Sequence, residues 1–79
     1  MKTILIVEDD RPLAQGIQMA LSQGDRTIRL AHTLSEARAQ LAAEPFDLMV
    51  LDLNLPDGNG LTLLEQLRRT SDLPVLILS

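Results

Sequence analysis

Residues 47–60 read DLMVLDLNLPDGNG. The first half, Asp47 to Leu53, is an almost unbroken apolar run, the pattern of a strand buried on both faces. The second half, Leu55-Pro56-Asp57-Gly58-Asn59-Gly60, is dense in turn formers. One acid, Asp52, stands inside the apolar run near its C-terminal end. A carboxylate there is costly without a purpose. A strand of this kind belongs in a parallel sheet covered by helices on each side, and the flanking sequence supplies both.

Upstream, Thr3 to Val7 (TILIV) is a second β-branched and aliphatic run, closed by Glu8-Asp9-Asp10. From Arg11 to about Ser22, Leu13, Ile17, Ala20 and Leu21 recur at helical spacing. Asp10 suits the N-cap of that helix, Pro12 its first turn, and Gln23-Gly24-Asp25 its end. Thr27 to Ala31 reads as a short edge strand interrupted by Arg29. Thr33-Leu34-Ser35-Glu36 matches a capping box that opens a second helix, with Leu34, Ala37 and Leu41 as its stripe and Glu44-Pro45 as its stop. Downstream, Leu61, Leu64 and Leu67 mark a third helix to about Arg69, and Pro74 introduces a fourth strand, Val75 to Leu78. Met19 and Met49 read as core residues. The order βαβαβαβ predicts an α/β fold with a parallel sheet and right-handed crossovers. Sites in such sheets lie outside the carboxyl ends of the strands.

Composition narrows the function classes. Seventy-nine residues make one small domain, and 46% apolar with 23% charged residues is a globular balance. The absence of cysteine excludes disulfides, thiolate zinc sites and a cysteine nucleophile. Eleven acids against seven bases give a net charge of −4, which argues against direct nucleic-acid binding. No apolar run approaches the roughly 20 residues of a membrane span, and the N-terminus meets charge too soon for a signal peptide. A cytoplasmic, soluble protein is expected. With Phe46 as the single aromatic residue, the core must be aliphatic.

Five acids gather where the fold puts its sites: Glu8, Asp9 and Asp10 after the first strand, Asp52 and Asp57 after the third. If those strands are neighbours, the carboxylates converge and repel one another unless a cation sits among them. Magnesium suits such a set, being a hard ion that takes a few oxygen ligands and keeps several waters. The blander alternative is that Asp9 and Asp10 cap the first helix and Asp52 solvates a strand end. His32 reads as a solvated residue of a connection, and Arg68-Arg69 as an offset to a helix dipole. No Gly-x-Gly-x-x-Gly follows the first strand, so a dinucleotide half-domain is not indicated.

ILIVEDD, then LMVLDLNLPDGNG, then LPVLILS, in this order along the whole chain, resembles the receiver domain of bacterial response regulators. The resemblance implies a flavodoxin-like doubly wound parallel sheet with strand order 2-1-3-4-5. On it, residues 1–79 correspond to a βαβαβαβ portion of a (βα)5 receiver, an incomplete domain without the last strand and the last two helices. It also implies roles. Asp52 accepts the phosphoryl group, with Mg2+ held by Glu8, Asp9, Asp52 and the backbone carbonyl of Asn54. Pro56 and Gly60 shape the loop, and the Ser79 hydroxyl senses the phosphate. The donor would be the phosphohistidine of a sensor histidine kinase. Such a module is an acceptor and switch, at most phosphorylating and dephosphorylating itself, and it meets DNA only through a separate output domain. The family's lysine after the fifth strand is not in this sequence, so little or no stable phosphorylation of these 79 residues is expected.

Two other readings stay open: a magnesium-dependent phosphohydrolase, disfavoured because Asn54 stands where that class needs a second aspartate, and a non-phosphorylated interaction module on the same fold. Val75 to Leu78, apolar on both faces and without charge, is expected to self-associate as an open sheet edge.

Overall fold

The computed structural model describes residues 2–78. Its elements are β1 (Thr3–Val7), α1 (Arg11–Leu21), β2 (Thr27–Ala31), α2 (Leu34–Ala43), β3 (Leu48–Leu51), β4 (Asn54–Leu55), β5 (Gly58–Asn59), α3 (Gly60–Arg68) and β6 (Val75–Ile77). β2, β1, β3 and β6 lie side by side in that order in one parallel sheet. This is the order implied for the first four strands of a receiver.

Alternation along the two central strands divides the core. Leu5 and Val7 of β1, with Met49 and Leu51 of β3, face α2 and α3, where they meet Leu34, Ala37 and Leu63. Ile4, Ile6 and Val50 face the opposite way and pack with Ile17 and Leu21 of α1. The sheet is therefore wound on both sides, with one helix below and two above. Phe46 lies against the larger cluster as a half-buried neighbour.

The helices begin as the sequence indicates. Asp10 caps α1, its Oδ1 accepting the Leu13 amide at 3.1 Å, and Pro12 occupies the first turn. Thr33 Oγ1 accepts the Glu36 amide at 3.0 Å to cap α2. The Glu36 carboxylate departs from the reciprocal pattern of a capping box: it accepts from the His32 amide and the Thr33 hydroxyl, both at 3.3 Å.

The apolar stripes differ from expectation. In α1 the residues turned inward are Ala14, Ile17 and Leu21, spaced 3 and 4 apart, while Leu13 and Ala20 are exposed. Met19, expected in the core, is 78% exposed, whereas Met49 is fully buried. In α3 the helix starts at Gly60, and Leu63 is the buried leucine while Leu61 faces out.

Strand ends differ too. β3 stops at Leu51, short of the expected Leu53, because Leu53 and Asn54 turn away into a small hairpin. Asp52 nonetheless stays in the ladder, its amide donating to the Val7 carbonyl at 2.9 Å. Where only a turn was expected, Asn54 pairs with Asn59 and Leu55 with Gly58, leaving Pro56 and Asp57 at the corner.

The two sheet edges are unlike. On β2, Arg29 ion-pairs with Glu44 at 2.9 Å. On β6, Leu76 and Ile77 are 56% and 40% exposed with no charged neighbour in the strand.

Gly60 ties the hairpin to the sheet. Its amide donates to the Leu53 carbonyl at 2.9 Å. A Cβ at this position would lie 2.6 Å from the Asp52 carbonyl oxygen and 3.1 Å from Leu53 Cα, both backbone atoms that cannot swing aside. Gly60→Ala should therefore lower stability by about 1–3 kcal/mol in urea melts and displace the amide resonances of Asp52 and Leu53. An unchanged melt with unchanged resonances would contradict the close approach.

Candidate functional site

The parallel register sets Val7 beside Leu51, so the residues that follow, Glu8 and Asp52, leave the sheet at the same edge. Backbone bonds fix both exits: the Glu8 amide donates to the Ala31 carbonyl, and the Asp52 amide to that of Val7, each at 2.9 Å. Oxygens from Glu8, Asp9 and Asp52 all fall within 4.8 Å of one another. Glu8 is 4% exposed and Asp52 8%, while Asp9 faces solvent.

Short-range amides hold these side chains. The Asp10 amide donates to Glu8 Oε2 at 3.1 Å, and the Asn54 amide to Asp52 Oδ1 at 3.2 Å. Burial pushes the Glu8 carboxyl up to about 7, against the opposing pull of the Asp10 amide, and side-chain hydrogen bonds with Asp9 and Asp52 together with repulsion from Asp52 add to the rise. A cation would do the work of that proton, cancelling charge between carboxylates that are already together. Three hard oxygen donors, one open to water, fit Mg2+ and do not suit a soft metal ion.

Other expected site residues fall elsewhere. Asp57, counted among the converging acids, does not join them. Its Oδ1 accepts the Leu34 amide at 2.8 Å and its Oδ2 the Ser35 amide at 3.1 Å, at the start of α2. Those bonds, first that from Leu34, hold its carboxyl below the usual aspartate value. Asp10 serves α1 as its cap. Pro56 is exposed at the hairpin corner, and Gly60 is buried against the Asp52 backbone. Ser79 lies outside the described residues.

His32, read as a solvated residue, bonds through Nδ1 to the Glu8 carbonyl at 2.8 Å. A carbonyl only accepts, so Nδ1 carries the hydrogen. Neither the His32 nor the Asp57 contact has a local signature. Their partners lie 24 and 23 residues away, and only the sheet order brings them together.

The two shifted acids act on stability in opposite windows. Folded Glu8 keeps a proton that the unfolded chain loses above its ordinary 4.5, so its contribution is full below that value and is lost as pH rises through about 7. Asp57 contributes above its ordinary 3.8 and loses that contribution as pH falls through its lowered value. Metal-free chain should thus be less stable to urea at pH 8 than at pH 5, and Glu8→Gln should flatten the difference. A wild-type fall that persists undiminished in Glu8→Gln would assign it to another group.

Comparison with known proteins agrees with this geometry. The family described as "Response regulator receiver domain" matches residues 4–79. The chain is 37% identical over 79 residues to the KDP operon transcriptional regulatory protein KdpE of Escherichia coli (strain K12), covering all of this chain and 35% of that protein. Among solved structures, the non-phosphorylated HemR receiver domain from Leptospira biflexa superposes with a TM-score of 0.87 at 42% identity, over 98% of this chain and 63% of that one. A response regulator from Burkholderia pseudomallei, solved with a phosphorylated aspartic acid, calcium ion and citrate, gives 0.87 at 27% identity, over 98% of this chain and 46% of that one. The chain thus spans about a third of the length of the curated relative and under two thirds of these solved chains. With an acidic cluster at the carboxyl edge of a 2-1-3-4 parallel sheet and a family match along nearly its whole length, the chain belongs to the response regulator receiver domains, the signalling modules of two-component systems.

Proposed function

We propose that Asp52 is a phosphoryl acceptor, charged by the phosphohistidine of a sensor histidine kinase with Mg2+ at Glu8, Asp9, Asp52 and the Asn54 carbonyl. The observation that carries this is the convergence of three carboxylates within 4.8 Å, two of them nearly buried. The Burkholderia pseudomallei relative, which holds both a phosphorylated aspartic acid and a calcium ion, supports the pairing of acceptor and cation.

Asp52 is well placed to react. Its amide is locked to Val7 and its Oδ1 accepts from the Asn54 amide, which restrains the carboxylate's rotation, and the attack is assigned to its other oxygen. That oxygen forms a bond to phosphorus as the bond between phosphorus and the donor imidazole nitrogen breaks. The electron pair returns to the imidazole, and the product is an aspartyl phosphate. Bound Mg2+ supplies charge screening between the incoming phosphoryl group and the carboxylates. Ser79 is the hydroxyl we assign to sensing the phosphate, and Pro56 and Gly60 shape the loop beside it. The module is an acceptor and switch in the cytoplasm, and contact with DNA falls to an output domain elsewhere in the regulator. Residues 1–79 are the portion of a receiver that carries acceptor and metal ligands.

The open β6 edge suggests a second partner, another copy of the chain. Leu76 and Ile77 leave apolar surface and unpaired backbone in one place. Light scattering at micromolar concentration should give a mass above the monomer, reduced by Leu76→Lys; a monomer that unfolds cooperatively would refute the association.

The function itself is tested by metal and phosphate. Calorimetric titration should show weak Mg2+ binding that Asp9→Ala reduces about 10-fold or more, since one charged ligand is lost. Equal binding by both would remove the site. In a polypeptide that carries this segment together with the family's lysine, acetyl phosphate should add one phosphoryl group, seen by mass spectrometry and abolished by Asp52→Asn. Retention of that group in Asp52→Asn would move the acceptor elsewhere.

A further inference from the structure

The connection between β2 and α2 touches both halves of the acidic site without contributing a carboxylate to it. On one side, His32 Nδ1 donates to the Glu8 carbonyl at 2.8 Å, at the start of the turn that carries Asp9 and Asp10. On the other, the Leu34 and Ser35 amides donate to the two oxygens of Asp57, at the corner of the β4–β5 hairpin. The Leu34 side chain presses on the same hairpin, its Cδ1 only 2.9 Å from where a Cβ on Gly58 would stand. That hairpin opens with Asn54, whose amide holds Asp52 Oδ1. Residues 32–35 therefore bridge the Glu8–Asp9 turn to the segment that orients Asp52.

We propose that this four-residue bridge is a positioning clamp. His32 and Asp57 set the spacing between the Glu8–Asp9 pair and Asp52, and through it the affinity of the site for Mg2+, although neither residue belongs to the cluster. The clamp rests on the metal-binding reading given above.

The physical case is one of constraint. The sheet fixes where β1 and β3 end, but each loop beyond the sheet leaves with its own freedom. Crowded carboxyl groups on the two loops favour their spreading apart in the absence of metal. A contact to each loop from one short, capped segment opposes the spreading. α2 is a rigid anchor for it, because its first free amides are all taken, two by Asp57 and one by Thr33. Outer partners of metal ligands commonly govern affinity in this way.

The test is calorimetric Mg2+ titration of the chain and four variants, alongside amide NMR spectra. His32→Ala and Asp57→Ala should each weaken Mg2+ binding about 10-fold. Asp57→Asn, which keeps an acceptor for α2, and His32→Gln, which keeps a donor for Glu8, should recover most of it. The amide resonances of Glu8 and Asp9 should also shift in folded Asp57→Ala, although Asp57 touches neither; a merely local cap would leave them still. Should Asp57→Ala fail to fold, Asp57→Ser, too short to reach both α2 amides, takes its place in both measurements. Wild-type affinity in the folded alanine or serine variants, or unmoved Glu8 and Asp9 resonances there, would overturn the clamp while leaving the metal site standing. A wild-type chain that takes no Mg2+ would instead overturn the metal-binding reading, and the clamp with it.

Discussion

The parallel pairing of β1 with β3 governs this molecule. Their register, with Ile4 beside Leu48 and Val7 beside Leu51, buries seven aliphatic or sulfur-bearing positions between two helical layers. It also ends both strands at one level. Because each strand is followed at once by an acid, the packing that makes the core also makes the site. The burial that stabilises Leu5, Ile6 and Leu51 draws Glu8 and Asp52 nearly out of water with them. Hydrophobic stabilisation is distributed over many side chains at about 1.5–3 kcal/mol each, and it holds together carboxylates that would separate if left to themselves.

Most of this arrangement was legible in the sequence because it depends on periodicity and punctuation. TILIV and the LMVL at the centre of DLMVLDL read as buried strands, and Asp10, Thr33 and Pro12 mark helix starts by local chemistry. The convergence of Glu8, Asp9 and Asp52 followed once the strands were taken as neighbours. What was not legible depends on contacts between distant segments. Asp57 looks like one more acid in an acidic loop until α2 is placed beside the hairpin, where two free amides claim it. His32 carries no mark that it will meet a carbonyl 24 residues upstream. The phase of a helix is similarly underdetermined when leucines and alanines stand on several sides, as in α1. There the sheet selects Ala14, Ile17 and Leu21 and leaves Leu13 and Met19 outside.

The site shows how a small domain accommodates a destabilising cluster. Glu8 relieves the charge by holding its proton to about pH 7. Asp10 and Asp57, which would have made the repulsion worse, are turned to cap helices, where the amides of α1 and α2 welcome a negative charge. Of five acids near one sheet edge, two are thus diverted to structural service and three remain together within 4.8 Å of one another. Gly60, by letting the α3 start press on the Asp52 carbonyl, keeps the hairpin folded back over the strand end.

The unlike edges of the sheet give it a direction. At β2 the Arg29–Glu44 pair places charge along the rim, so a further strand docking there would have to strip water from both groups. At β6 nothing comparable stands in the way, and the backbone of Val75–Ile77 offers a template with its apolar side chains already in place. Addition to this sheet is polar, closed at one margin and open at the other. A strand added beside β6 would lie one strand beyond β3 and two beyond β1, at the margin opposite the Arg29–Glu44 pair.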